Sequence, residues 1–274
     1  MFVRKALTSS EIPYLGSSPW CFLAENQAIL LVVFKPLPIW SIIVVSNIYF
    51  FENFKHIPRT TYLYIHIAFG FLLAALLFGS FGDIVLEIPT SSDNNYFLYG
   101  TLLFLFGHIC YIICYSICAR ETNERQLSCS CNFWIDFVYG WPYLLIVLLF
   151  GSVMFLFLYS YQQQLSTVLL IGIALYDLVL CLLLWRMSQT IRNSLIIKYS
   201  RATQQQANIY QYIRFIGAFL FVISDSTNSI AKFVPVIKLD MALRNLIVMI
   251  TYYIAQYLLA YSFKEYYLEP DMPL

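Results

Sequence analysis

The chain has 274 residues, of which 60% are apolar, 18% aromatic and only 11% charged, and its formal net charge is +1. A soluble domain carries about a quarter charged residues, so this chain cannot cover its surface with ionic groups, and its near-neutral balance argues against nucleic acid as a partner. Apolar runs such as 61–81 and 243–261 approach the roughly 20 residues that cross a bilayer core, and lack the two-residue alternation of a barrel strand, so they read as membrane helices.

Residues 1–27 read as an N-terminal segment outside the bundle. Arg4-Lys5 is followed by Ser9, Ser10, Glu11 and Pro13, not by the apolar core of a secretory signal. The first helix, at about 28–51, is interrupted by Lys35-Pro36-Leu37-Pro38. A proline inside a helix costs about 3 kcal/mol unless neighbours repair the freed carbonyl. One kinked span and two short segments both fit. The second helix, about 62–87, ends Gly79-Ser80-Phe81-Gly82-Asp83, small residues that admit a close neighbour. Asp83 and Glu87 share a face there; Asp83 is either functional or a snorkelling end residue, and Glu87 reads as the latter.

In the third helix, about 96–118, Gly100, Phe104, His108, Tyr111 and Tyr115 line one face. His108 is either a hydrogen-bonded packing residue or part of a site. Cys110, Cys114 and Cys118 recur every fourth residue as small hydrophobes. The following loop carries Cys129-Ser-Cys131, to which neither metal nor acylation is assigned, since no His or second Cys pair has zinc-finger spacing. Helices at about 137–160 and 166–186 are joined by a short loop that makes them antiparallel; Asp177 reads as structural, paired with Arg186 or facing a neighbour. A polar, basic loop covers about 187–212.

The sixth helix, about 213–232, is the most informative. Arg214, Gly217, Phe221, Asp225, Asn228 and Lys232 fall at spacings of three and four, so they form one stripe with an aspartate near its middle and a cation toward each end. It is either an ion-paired packing surface or the wall of a wet cavity. The seventh helix, about 243–263, adds Thr251, Tyr252, Tyr253 and Gln256, groups costly to bury without partners; a tail follows from 264 to 274. The expected fold is therefore all-α: one polytopic bundle over 28–263 with about seven spans, possibly eight. With seven, the side richer in Lys and Arg (Lys55, Arg59, Arg120, Arg125, Arg186, Arg192, Lys198, Arg201, Lys264) is expected in the cytosol together with the C-terminus.

No G-x-S-x-G elbow, H-E-x-x-H or P-loop occurs. What does occur, in order, is Lys35-x-Leu37-Pro38-Ile39, Gly82-Asp83-x-x-Leu86, and Tyr96-Phe97-x-x-Gly100 running on to Phe106-x-His108-x-x-Tyr111. Trp185-Arg186, Gly217-Ala218-x-x-Phe221-x-Ile223-Ser224-Asp225, Lys232-Phe233 and Thr251-Tyr252-Tyr253-x-Ala255-Gln256 follow. In these stretches the chain resembles the YhhN-like membrane proteins, whose animal members are lysoplasmalogenases. It departs from them in the polar stretch before residue 20, the Cys-Ser-Cys loop, and Glu87.

The resemblance implies hydrolysis of the vinyl ether bond of a lysoplasmalogen, releasing a fatty aldehyde and glycerophosphoethanolamine or glycerophosphocholine, with no metal or organic cofactor and an endoplasmic-reticulum location. Asp83 and Asp225 would then be the catalytic pair, one protonated and one ionised, meeting in one hydrated pocket. His108, Tyr111, Tyr252, Tyr253, Gln256 and Asn228 would orient them, and Lys35, Lys232 or Arg214 would hold the phosphate. A non-enzymatic seven-helix lipid sensor or small-solute transporter would use the same polar residues for binding alone. The partners expected are a lysophospholipid and membrane lipid; oligomeric state is left open.

Overall fold

A computed structural model of the chain describes residues 32–53, 59–88, 94–126, 133–161, 167–197, 205–234 and 241–266. Among them every element is helical: α1 (Leu37–Asn53), α2 (Arg59–Glu87), α3 (Asn94–Gln126), α4 (Phe133–Tyr161), α5 (Thr167–Ile197), α6 (Gln205–Phe233) and α7 (Met241–Ser262), closed by a 3-10 turn at Phe263–Tyr266. Six stretches are long and apolar enough to cross a membrane. The exception, α6, has 29 residues. At about 1.5 Å per residue that length exceeds a bilayer core of roughly 30 Å, and it is the helix that carries the polar stripe.

The prolines near residue 35 resolve into a helix start. Val32–Phe34 is helical, Lys35-Pro36 forms a turn, and α1 begins at Leu37 with Pro38 in its first turn, where a missing N–H costs little. The Pro36 carbonyl accepts the Trp40 N–H at 3.0 Å, so the backbone is repaired across the break. The alternative of a second short segment over 19–34 falls on residues that lie, up to 31, outside the described ones. At the other end the bundle runs past the expected boundary at 263, and the turn packs Phe263 into the core.

Helices α1, α2, α3, α5, α6 and α7 close a ring in that order, each touching the next and α7 returning to α1. Helix α4 lies outside it, against α5 and α6. Two close approaches to a neighbouring backbone mark the ring's seams. A Cβ on Gly107 would stand 3.2 Å from the Ala75 carbonyl of α2, and one on Gly217 3.2 Å from the Ala255 carbonyl of α7. Inside the ring Leu72, Leu76, Ala218, Phe221 and Leu259 are buried, and Phe50 stacks on Phe69 with centroids 4.0 Å apart. Outward, Val45 and Phe51 of α1, Leu63 of α2, and Ile146, Leu149, Val153 and Leu156 of α4 are exposed. A chain with so much exposed aliphatic surface is solvated by lipid, not water. The cysteines at 110, 114 and 118 are buried free thiols, in keeping with their spacing.

Adding a side chain at the α6–α7 seam has nowhere to go. Gly217→Leu should destabilise the bundle by about 1–3 kcal/mol through overpacking, read as a lowered thermal midpoint in detergent; an unchanged midpoint would show that the seam is not tight.

Candidate functional site

Two acidic centres form in the half of the bundle nearest the start of α1. On the first side, the broken entry of α1 turns Lys35 toward the C-terminal end of α2. Its ammonium Nζ lies 2.8 Å from Glu87 Oε1 and 3.5 Å from Asp83 Oδ1. Asp83 is buried, whereas Glu87 one turn further on is partly exposed. The Tyr253 hydroxyl of α7 donates to the Lys35 carbonyl at 2.6 Å and pins the turn. Trp40 Nε1 donates to Ser80 Oγ at 2.6 Å and fixes α1 on α2 just below. Gly79 leaves room for the Gln256 amide and the Tyr252 hydroxyl, which would stand 2.9 and 3.0 Å from any Cβ there. Tyr252 faces Asp83, Tyr111 donates a short hydrogen bond to Gln256, and both tyrosines are buried.

On the second side, Asp225 Oδ2 accepts the Tyr176 hydroxyl of α5 at 2.5 Å. A cleft of about 30 Å³ opens beside it, lined on α6 by Asp225, Ser226 and Ser229, on α5 by Tyr176 and Asp177, and on α4 by Phe155 and Leu158. Such a volume holds a water or two. Asp177, read from sequence as structural and paired with Arg186 or facing a neighbour, faces this cleft.

The two centres connect through rings. His108, buried on α3, packs edge-on against Tyr176 at 5.5 Å and against Phe221 at 5.0 Å between centroids. Phe221 in turn meets Tyr252 at 5.8 Å. The path from Asp225 to Asp83 therefore runs through Tyr176, His108, Phe221 and Tyr252. Among the described residues, a cleft borders Asp225, an ion cluster holds Asp83 and a layer of aromatic side chains lies between them.

Three expected participants lie elsewhere or at the margin. Arg214 does not face a headgroup: it is fully buried at the opposite end of the bundle, its Nη2 2.6 Å from Glu265 Oε2. The rings of Tyr115 and Tyr266 lie 4.4 and 5.2 Å from its guanidinium carbon, and Gln211 supports Glu265 at 3.2 Å. A guanidinium at that depth takes an acidic and aromatic cage because nothing else there can solvate it. Eleven residues, about 16 Å of helix, separate it from Asp225. Lys232 is exposed with its ammonium 3.3 Å over the Phe97 ring. Asn228 is half-buried on α6, three residues beyond Asp225.

Sequence reasoning missed Tyr176, the one hydrogen-bond donor to Asp225 among the described residues. As one of 22 tyrosines it carries no signal of its own; only its place beside Asp177 near mid-helix draws notice. Glu87 is the end residue it was read as, and it also shares the Lys35 ammonium with Asp83, which the sequence did not indicate.

The family model of the YhhN family matches residues 30–263, a stretch that holds every side chain of both acidic centres. No curated protein and no solved structure matches the chain.

Breaking the cage around Arg214 leaves a buried charge without its counterion. Glu265→Ala should cost about 3–5 kcal/mol in unfolding of the purified protein, and the double variant Arg214→Met/Glu265→Ala should recover a large part of it. Equal stability of Glu265→Ala and the parent would show that the pair is not what holds the turn.

Proposed function

The chain belongs to the YhhN family, and from that premise we propose that it hydrolyses the vinyl ether bond of lysoplasmalogens. The observation that carries this reading is the pair of acidic groups, Asp83 and Asp225, set far apart in sequence yet linked within an apolar bundle by the contacting rings of Tyr176, His108, Phe221 and Tyr252. A charged or ionisable side chain at membrane depth is costly and is retained for a function.

The chemistry needs one carboxylic acid and one carboxylate. The acid protonates the β-carbon of the vinyl ether, and the π electrons that form the new C–H bond leave an oxocarbenium ion. Water adds to the α-carbon of that ion, giving up a proton to the carboxylate, and exchange with water returns a proton to the acid. The resulting hemiacetal collapses to a fatty aldehyde and the glycerol hydroxyl of the glycerophospho head. The carboxylate role suits Asp83, whose Oδ1 faces the Lys35 ammonium. The acid role suits Asp225, which has a neutral tyrosine hydroxyl beside it and no ion pair among the described residues. Its cleft, with Ser226 and Ser229, is a route by which water reaches the site. For both carboxyls to reach one bond, the layer of Phe221 and Tyr252 must part around the substrate.

Lys35 is the cation placed to receive the phosphate. From Glu87 to Asp83 the helix descends four residues, about 6 Å, comparable to the glycerol that separates the phosphate from the vinyl ether. The single chain would then lie among the apolar side chains facing the membrane. A location in the endoplasmic reticulum, with the basic face and C-terminus in the cytosol, completes the proposal.

Asp83→Asn and Asp225→Asn should each lower aldehyde release from an alkenyl lysophospholipid by at least about 100-fold, the scale of general acid–base catalysis, while the purified variants keep their thermal midpoints. Tyr176→Phe should have a smaller effect. Turnover retained in a folded Asn variant removes that residue from the chemistry. Lipid binding without any aldehyde release by the parent would replace the hydrolase with a sensor.

The requirement for one protonated and one ionised carboxyl also makes a bell-shaped dependence of kcat/KM on pH the expected profile. A profile with a single limb would mean that one acidic group suffices.

A further inference from the structure

The cluster at the entry of α1 holds one primary ammonium between two carboxylates. Lys35 Nζ is 2.8 Å from Glu87 Oε1 and 3.5 Å from Asp83 Oδ1. The two acids differ in setting. The Asp83 side chain is 3% exposed, and the Glu87 side chain is 29% exposed beside Ile88, at the end of α2 where a lipid headgroup would lie. Glu87 is thus both within hydrogen-bond reach of an ammonium and open to what arrives from the interface.

The phosphodiester of a lysophospholipid brings a full negative charge to Lys35, the cation that Glu87 now engages. As Lys35 turns to the phosphate, Glu87 loses its partner and needs another donor of positive charge. A phospholipid head supplies one two carbons from its phosphate. Resting on the reading of the chain as a lysoplasmalogen hydrolase, we propose that Glu87 accepts the headgroup ammonium and makes the site selective for phosphoethanolamine over phosphocholine.

The selectivity follows from the donor. An ethanolamine ammonium has three N–H groups and replaces the Lys35 ammonium at Glu87 like for like. A trimethylammonium has none, and its methyl groups keep its charge further from the oxygen. Sites built for quaternary ammonium ions use several aromatic faces. Among the described residues the polar contacts of Lys35 are two carboxylates and, through its carbonyl, one tyrosine hydroxyl. An exchange of ion pairs also limits the cost of breaking the Lys35–Glu87 pair, because each of its two members ends with a partner.

The test compares kcat/KM for alkenyl lysophospholipids that carry ethanolamine or choline, in the parent protein and in Glu87→Gln. A charge-assisted hydrogen bond at a partly exposed position corresponds to about a tenfold preference. The parent should prefer ethanolamine by about that factor, and Glu87→Gln should bring the ratio close to one, chiefly through a raised KM for the ethanolamine substrate. Glu87→Asp should retain part of the preference. A parent that treats the two heads alike, or a Glu87→Gln variant that keeps the parent's ratio, overturns the proposal.

If the parent releases aldehyde from neither substrate, it is the hydrolase reading that fails. The headgroup claim is then decided by binding of the non-hydrolysable 1-O-alkyl lysophosphoethanolamine and lysophosphocholine to the same two proteins. Preference for the ethanolamine lipid that Glu87→Gln abolishes supports it, and equal binding sinks it.

Discussion

The architecture around the acidic residues hangs on how Lys35 is held. Its ammonium joins the two acids at the end of α2, and its backbone carbonyl accepts from Tyr253 of α7. It therefore ties the entry of α1 to two other members of the ring. In water such a cluster would contribute little, because exposed ion pairs are screened. In an apolar bundle the balance changes: Asp83 is buried, and leaving it without the ammonium would strand a charge where nothing else compensates it. The proline break before α1 is what makes this possible, because a turn, unlike a straight helix, can present both its side chain and its carbonyl inward.

A second consequence concerns the division of labour between the two carboxyls. Asp83 is held by a cation and overlooked by Tyr252, in a tightly packed corner where Gly79 concedes the space for Gln256. Asp225 is held by a hydroxyl and borders a cleft against α4, the helix that stands outside the ring. Unlike environments are what separate the roles of like residues. The aromatic layer of His108, Phe221 and Tyr252 keeps them apart in the resting protein. It is hydrophobic enough to receive an alkenyl chain and carries polar atoms at its edges.

Much of this was legible in the sequence, for identifiable reasons. Helix positions follow from apolar runs, because lipid leaves the backbone no other way to satisfy its hydrogen bonds. Asp83, His108 and Asp225 stood out because a polar group inside such a run is conspicuous. Arg214 was conspicuous for the same reason, yet its role could not be read, because its counterion Glu265 lies beyond the last apolar run in a segment that reads as a tail. Tyr176 was illegible, since tyrosine is abundant and its bond to Asp225 spans 49 residues. The ring order, with α4 excluded, has no local signature, because it is decided by which seams allow close approach, as at Gly107 and Gly217.

The distance between Arg214 and Glu265 along the chain also bears on biogenesis. Fifty-one residues separate them, so at about 5–20 residues per second the ribosome needs roughly 3–10 s to deliver the second after the first. Through that interval the guanidinium is without Glu265, on the helix that carries the polar stripe. The buried charge of α6 is thus neutralised only when the turn that follows α7 has been made, which ties the completion of one helix to the arrival of the other.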